Sequence, residues 1–174
     1  MIKGSVFVGT SLDGYIARTD GSVDFLSHAG DEPHGYDEFI AEVDALVMGR
    51  NTYDFVIDYG EWPYGDKPVF ILSSREIDAP PPGAIVERMN GTPNEIAAEI
   101  ESRGIKHIYV DGGVTVQDFL RAGLIQRLVI SKVPVLIGSG ISLFGDLDQD
   151  VVLRHVATRQ FESGLVQSEY EVAG

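Results

Sequence analysis

The chain contains no cysteine. That absence excludes disulfides, a thiol nucleophile and any zinc site built on thiolates. Lysine is scarce: Lys3, Lys67, Lys106 and Lys132 are the only ones, and 27 acidic residues outweigh 13 basic ones for a net charge of −14. Nucleic-acid binding needs a basic footprint, which so acidic a chain does not offer. No apolar run approaches the ~20 residues that span a bilayer, so no membrane partner is expected. Met1-Ile2-Lys3-Gly4 runs directly into a strand pattern with no signal-peptide design, and cytoplasmic residence is the default expectation. Neither a P-loop lysine motif nor a Gly-x-Ser-x-Gly nucleophile elbow is present. The four histidines, His28, His34, His107 and His155, have no metal-ligand spacing.

What is present fits one α/β domain over residues 1–174, with 44% apolar content and enough length for a real core. Val6–Gly9 reads as a first, central strand, followed by a loop, Thr10–Ala17, around Asp13-Gly14. Tyr36, Phe39, Ile40 and Val43 recur at i, i+3, i+4 and i+7, which predicts an amphipathic helix. Ala45–Met48 is a short buried strand with a helix from about Asn51. Strands are expected at Pro68–Leu72, Ile85–Arg88 and His107–Val110. Thr92-Pro93-Asn94-Glu95 carries a capping box with proline in the first helical position. Val114–Ala122 reads as a helix. Arg127–Ile137 reads as a long apolar strand in which Pro134 suggests an edge or a bulge. Val151–Phe161 and Leu165–Val172 read as a terminal hairpin. Strands alternate with helices and then follow one another, so the sheet should be mostly parallel with an antiparallel end.

Two strand-to-helix junctions carry the chemistry. At Gly49-Arg50-Asn51-Thr52 an apolar run becomes a helix at once, leaving backbone N–H groups without partners. With the helix dipole, Arg50 and the Thr52 hydroxyl, they form a ready phosphate site. At Asp111-Gly112-Gly113 paired glycines again join a strand to a helix, with Val114 opening the helix and Thr115 able to cap it or bond a phosphate. Ser73-Ser74-Arg75 offers two hydroxyls and a guanidinium, which suit a phosphate monoester such as the 2′-phosphate of NADP. Each feature alone is equally an ordinary capped helix or polar turn; together they point to a dinucleotide. The loop Ser11–Ala17 follows the first strand and should border the same cleft, because ligands bind beyond the carboxyl ends of parallel strands. Asp13 could bond a substrate or simply order its own turn. Phe25 could supply an aromatic face, although such a residue is more often core. Gly138-Ser139-Gly140 lacks the third glycine of a nucleotide fingerprint and is discounted.

Ser-Leu-Asp-Gly-Tyr-Ile-Ala (11–17), Met-Gly-Arg-Asn-Thr-Tyr (48–53), Lys-Pro-Val-Phe-Ile-Leu-Ser (67–73), Val-Asp-Gly-Gly (110–113) and Pro-Val-Leu-Ile-Gly-Ser-Gly-Ile-Ser-Leu-Phe (134–144) occur in the order found in the dihydrofolate reductase-like fold. The set most closely resembles the reductase domain of the bifunctional riboflavin-biosynthesis deaminase/reductase and its stand-alone relatives. The resemblance implies a three-layer fold, NADPH as cofactor, a small C=N or C=O substrate and a homodimer. It sets Gly49, Arg50 and Thr52 on the pyrophosphate and adjoining ribose, and Ser73, Ser74 and Arg75 on the 2′-phosphate. It sets Gly112, Gly113, Val114 and Thr115 on the pyrophosphate and nicotinamide side. Thr10, Ser11 and the loop behind them would meet the nicotinamide, with Phe25 as a neighbour. Asp13, Asp111 or a water would deliver the proton.

The chain also departs from that pattern. It has no clean match to the tryptophan-proline loop or the pterin-orienting acid of dihydrofolate reductases; Asp37 and Glu38 are loose candidates. After Thr52 it places Asp54, Asp58 and Glu61 where a phosphorylated substrate calls for arginines. Two alternatives follow: a non-catalytic nucleotide- or ligand-binding protein on the same fold, and a true dihydrofolate reductase.

Overall fold

The computed structural model describes residues Met1–Gly174. Its strands are β1 (Lys3–Ser11), β2 (Tyr15–Ala17), β3 (Ala45–Gly49), β4 (Val69–Leu72), β5 (Val86–Met89), β6 (His107–Asp111), β7 (Arg127–Val133), β8 (Ile141–Ser142), β9 (Leu153–Gln160) and β10 (Val166–Val172). Its α-helices are α1 (Tyr36–Glu42), α2 (Arg50–Tyr59), α3 (Pro93–Ser102) and α4 (Gly113–Arg121), with a 3₁₀ turn at Asp24–Ala29. Eight strands form one sheet in the order β5-β4-β3-β6-β1-β7-β10-β9. Strands β5 to β7 along that order run parallel, and β10 returns antiparallel to both β7 and β9.

Helices cover both faces, giving three layers. Strand side chains alternate between them. Ala45 and Val47 face a core built with Ile96 and Ile100 of α3 and Val116 and Phe119 of α4. Leu46 and Met48 face a second core with Phe39 of α1 and Tyr53 of α2. A strand buried on both faces reads as an unbroken apolar run, which is why Ala45–Met48 carries no polar residue. The capping box of α3 forms as the sequence predicts: the Glu95 carboxylate accepts the Thr92 N–H at 2.8 Å, and the Thr92 hydroxyl accepts the Glu95 N–H at 3.3 Å. No helix is long and apolar enough to cross a membrane.

The expected strand Arg127–Ile137 needs correction. It stops at Val133, just before Pro134, and lies inside the sheet between β1 and β10 rather than at an edge. Proline has no N–H for the ladder, so pairing ends there. The free edge on this side is β9, all eight residues of which are exposed. The presumed loop Thr10–Ala17 also contains structure. Tyr15–Ala17 pairs with Ile141–Ser142 as a small separate flap.

Candidate functional site

A cavity of about 790 Å³ opens at the carboxyl ends of β1, β3, β4, β5 and β6. Volumes of roughly 300–1,000 Å³ are typical of small-molecule sites. Both strand-to-helix junctions line it, and they are neighbours because β3 pairs with β6, Met48 opposite Asp111.

The junctions interlock. Gly112 has a positive φ of 94°, and a Cβ there would stand 2.6 Å from the Thr52 hydroxyl of the other junction. A Cβ on Gly49 would stand 3.0 Å from the Thr115 hydroxyl. Each threonine, in the first turn of its helix, thus packs against the glycine of the opposite bend. The N-caps of α2 and α4 are these glycines, and neither helix end has a side-chain cap. Two sets of first-turn N–H groups therefore meet one cavity with no carboxylate or hydroxyl of their own to satisfy them. Arg50 lines the same region and keeps a loose pairing, 3.5 Å, with Asp54. Gly113 serves packing as well: Ile16 and Ile141 of the flap approach so closely that a Cβ would lie 2.9 and 3.2 Å from them.

Ser73 and Ser74 line the far end of the cavity beyond β4. The Ser73 hydroxyl donates to the Arg75 carbonyl and accepts the Arg75 N–H, closing a tight turn. Arg75 itself projects from that turn, exposed and outside the lining. Asn90 and Gly91 line this end too. They had escaped the sequence reading, although an Asn-Gly pair directly after a strand is a turn signal.

Asp111 lies between the junctions and an aromatic wall. Burial pushes its carboxyl up to about 6, opposed only by the Gly112 N–H that Oδ1 accepts at 2.9 Å. No cation enters that balance. Tyr36, Tyr64 and Tyr109 stand near enough to feel its charge; burial, and then Asp111, raises each phenol, Tyr36 to about 12. Tyr109 donates its hydroxyl to the Phe7 carbonyl at 2.8 Å, and Tyr64, Tyr109 and Phe7 line the cavity. Sequence reasoning missed these walls, since a tyrosine in a strand looks like core until its neighbours are known.

Besides Arg75, four expected residues are not brought to the cavity. Thr10 and Ser11 are buried; Thr10 donates to the Ser11 carbonyl, and the Ser11 hydroxyl accepts the Tyr15 N–H. Phe25 is core, only 2% exposed, with the Arg18 guanidinium over its ring, and its neighbour Leu26 reaches the cavity instead. Asp13 lies outside and accepts the N–H groups of Ile137 and Gly138, at 3.3 and 2.8 Å. The Ser11 side chain first, and then those N–H groups, hold its carboxyl below the usual range. This clasp ties the two strands of the flap together. Asp111, Gly49, Arg50, Thr52, Ser73, Ser74, Gly112, Gly113, Val114 and Thr115 do converge on the cavity.

Against known sequences, the family model of the RibD C-terminal domain matches residues 3–167. The chain belongs to this family. RibD's C-terminal domain is the reductase half of the deaminase/reductase that the motifs resemble, so membership places the chain among oxidoreductase domains of the riboflavin-biosynthesis type. The uncharacterised Bacillus subtilis protein YwjB is 32% identical over 162 residues, spanning 91% of this chain and 92% of its own. The crystal structure of a provisionally named riboflavin biosynthesis protein from Shewanella sp. PV-4 is 36% identical, with a TM-score of 0.90 over 98% of this chain and 99% of its own. Dihydrofolate reductase from Enterococcus faecalis, crystallised with NADP(H), is 17% identical and shares the fold alone, with a TM-score of 0.67 over 99% of this RibD-type chain and 97% of its own.

Proposed function

We propose that this RibD-type protein is an NADPH-dependent reductase of a small C=N or C=O substrate of riboflavin-precursor or pterin type. One observation carries the reading: two uncapped helix ends, side by side, flank one cavity, and the Asp111 carboxyl that lines it beside them is pushed up to about 6 by burial. The residues fit the cofactor. First-turn N–H groups of α2 and α4, with Arg50, would hold the pyrophosphate. Ser73, Ser74 and the nearby Arg75 would hold the 2′-phosphate. The NADP(H) of the Enterococcus relative supports the same choice.

When bound, NADPH supplies a hydride to the carbon of the C=N or C=O group. The protein's own work is positional and acid–base. Asp111 holds its proton at the carboxyl oxygen left free by Gly112 and gives it to the substrate nitrogen or oxygen, then recovers it from water. Phe7, Tyr64 and Tyr109 flank the substrate, and the flap carrying Ile16 and Ile141 keeps water out. A non-catalytic binding protein would not need an acid tuned in this way.

Nicotinamide fluorescence during NADPH titration tests the binding. Oxidation of the bound cofactor by candidate imines, carbonyls and pterins tests the turnover. Binding without oxidation by any of them would favour the non-catalytic alternative, and methotrexate-sensitive turnover of dihydrofolate would favour the third.

We also propose a homodimer seated on β9. That strand is a free sheet edge with Leu153 and Val156 about two-fifths exposed, and a bare apolar edge invites pairing. Light scattering tests it, and a monomeric mass would end it.

A further inference from the structure

The chain has three asparagines, and the fold treats them differently. Asn51 lies in the first turn of α2 and Asn94 in the first turn of α3, each followed by another helical residue, Thr52 and Glu95. Asn90 is exposed in the bend between β5 and α3, and Gly91 follows it. An asparagine loses ammonia when the backbone nitrogen of the next residue attacks its side-chain carbonyl carbon. Fixed helical dihedrals hold those two atoms apart, and a β-carbon on the next residue shields the nitrogen. Gly91 has no such carbon, and its N–H donates to no backbone carbonyl.

The position of this bend gives the reaction a consequence. β4 and β5 run parallel with Leu72 opposite Met89, and the Ser73 N–H donates to the Met89 carbonyl at 3.0 Å. Asn90 therefore stands beside the Ser73–Arg75 turn, and Ser73, Ser74, Asn90 and Gly91 line the same end of the cavity. Under the NADPH reading this end takes the 2′-phosphate. A neutral amide tolerates that anion, whereas a carboxylate repels it. A carboxylate suits instead the free 2′-hydroxyl of NADH, which acidic side chains bond in NAD sites.

We propose that Asn90-Gly91 is a spontaneous modification site whose product turns the cavity away from NADPH. The Gly91 nitrogen bonds to Asn90 Cγ as the Cγ–Nδ2 bond breaks. Ammonia leaves with the proton that the Gly91 nitrogen gave up, and a cyclic imide closes. Water then opens the imide at either carbonyl, leaving aspartate or isoaspartate. Asparagine and water become an acid and ammonia, with no oxidant or reductant involved. The effect on cofactor choice rests on the reductase reading; the chemistry of the bend does not.

The test ages the full chain in warm, mildly alkaline buffer and reads its peptides by mass spectrometry and isoaspartate assay. Conversion is expected at Asn90, while Asn51 and Asn94 remain amides. Fluorescence titration with NADPH and NADH then compares wild type with Asn90→Asp, which carries the product carboxylate. The ratio of NADPH to NADH affinity should fall at least ~10-fold, the scale of one charge-assisted contact, and aged wild type should shift in the same direction. An intact Asn90 after ageing, or equal conversion of all three asparagines, would overturn the site. An unchanged ratio in Asn90→Asp would overturn its consequence. If Asn90 converts but fresh wild type binds neither cofactor, the modification stands and the reductase reading falls.

Discussion

One end of the cavity is built almost without side chains, and the other is built almost entirely from them. At the α2 and α4 ends, glycines strip the wall down to backbone N–H groups, and the two threonines lock the bends at a fixed spacing. At the Asp111 end, aromatic rings and a single carboxyl define the space. Backbone donors recognise what many ligands share, a phosphate. Side chains recognise what one ligand has alone. The first end should therefore govern cofactor affinity and the second should govern turnover and substrate choice, with little crossover.

Four substitutions would break or sharpen that division. The largest effect is expected at Asp111→Asn: kcat should fall about 100-fold or more, the range of a lost general acid, while the Kd for NADPH stays the same. In the wild-type protein kcat/KM should decline about tenfold per pH unit above pH about 6, where the Asp111 carboxyl loses its proton. The variant should lose this limb of the pH profile.

Gly112→Ala comes next. It forces a side chain into a positive-φ position and against the Thr52 hydroxyl. To relieve ~1–3 kcal/mol of strain the bend must shift. Titration should then show NADPH binding weakened about 10- to 100-fold, with turnover at saturating cofactor close to normal. Arg75→Ala should remove a preference for NADPH over NADH of about 10-fold, one charge-assisted contact. An unchanged ratio would remove Arg75 from the 2′-phosphate site. Asp13→Ala should loosen the flap and raise the substrate KM about threefold, less than one good hydrogen bond is worth, leaving kcat alone.

Stability gives an independent reading of the Asp111 end. Its carboxyl titrates higher folded than unfolded, so the folded state binds the proton more tightly. The stabilisation from that proton is complete below about pH 4 and is lost as pH rises through about 6. At pH 8 the buried charge costs about 3 kcal/mol. Asp111→Asn avoids that cost, so urea unfolding should find the variant more stable at pH 8 and equal to wild type below pH 4.

Much of this was legible in the sequence because it is local. The buried run Ala45–Met48, the capping box at Thr92 and Glu95, and both glycine junctions are written within a few residues of one another. What escaped is held by pairs far apart in the chain. Tyr15 pairs with Ser142, and Asp13 holds Ile137 and Gly138, so the expected loop is a flap that Asp13 clasps. Phe25 could not be told from a cavity residue until the 3₁₀ turn fixed which of Phe25 and Leu26 points inward. Pro134 suggested an edge or a bulge in a strand running to Ile137; pairing instead ends at Val133, and β7 lies inside the sheet because β10, over thirty residues later, covers its far side.

Crystals soaked with NADP⁺ would test the central claim most directly. The account predicts diphosphate oxygens within hydrogen-bonding distance of first-turn N–H groups from both α2 and α4, with the nicotinamide ring turned toward Asp111. A diphosphate that touches only one helix end, or binds elsewhere while the two bends stay empty, would contradict it.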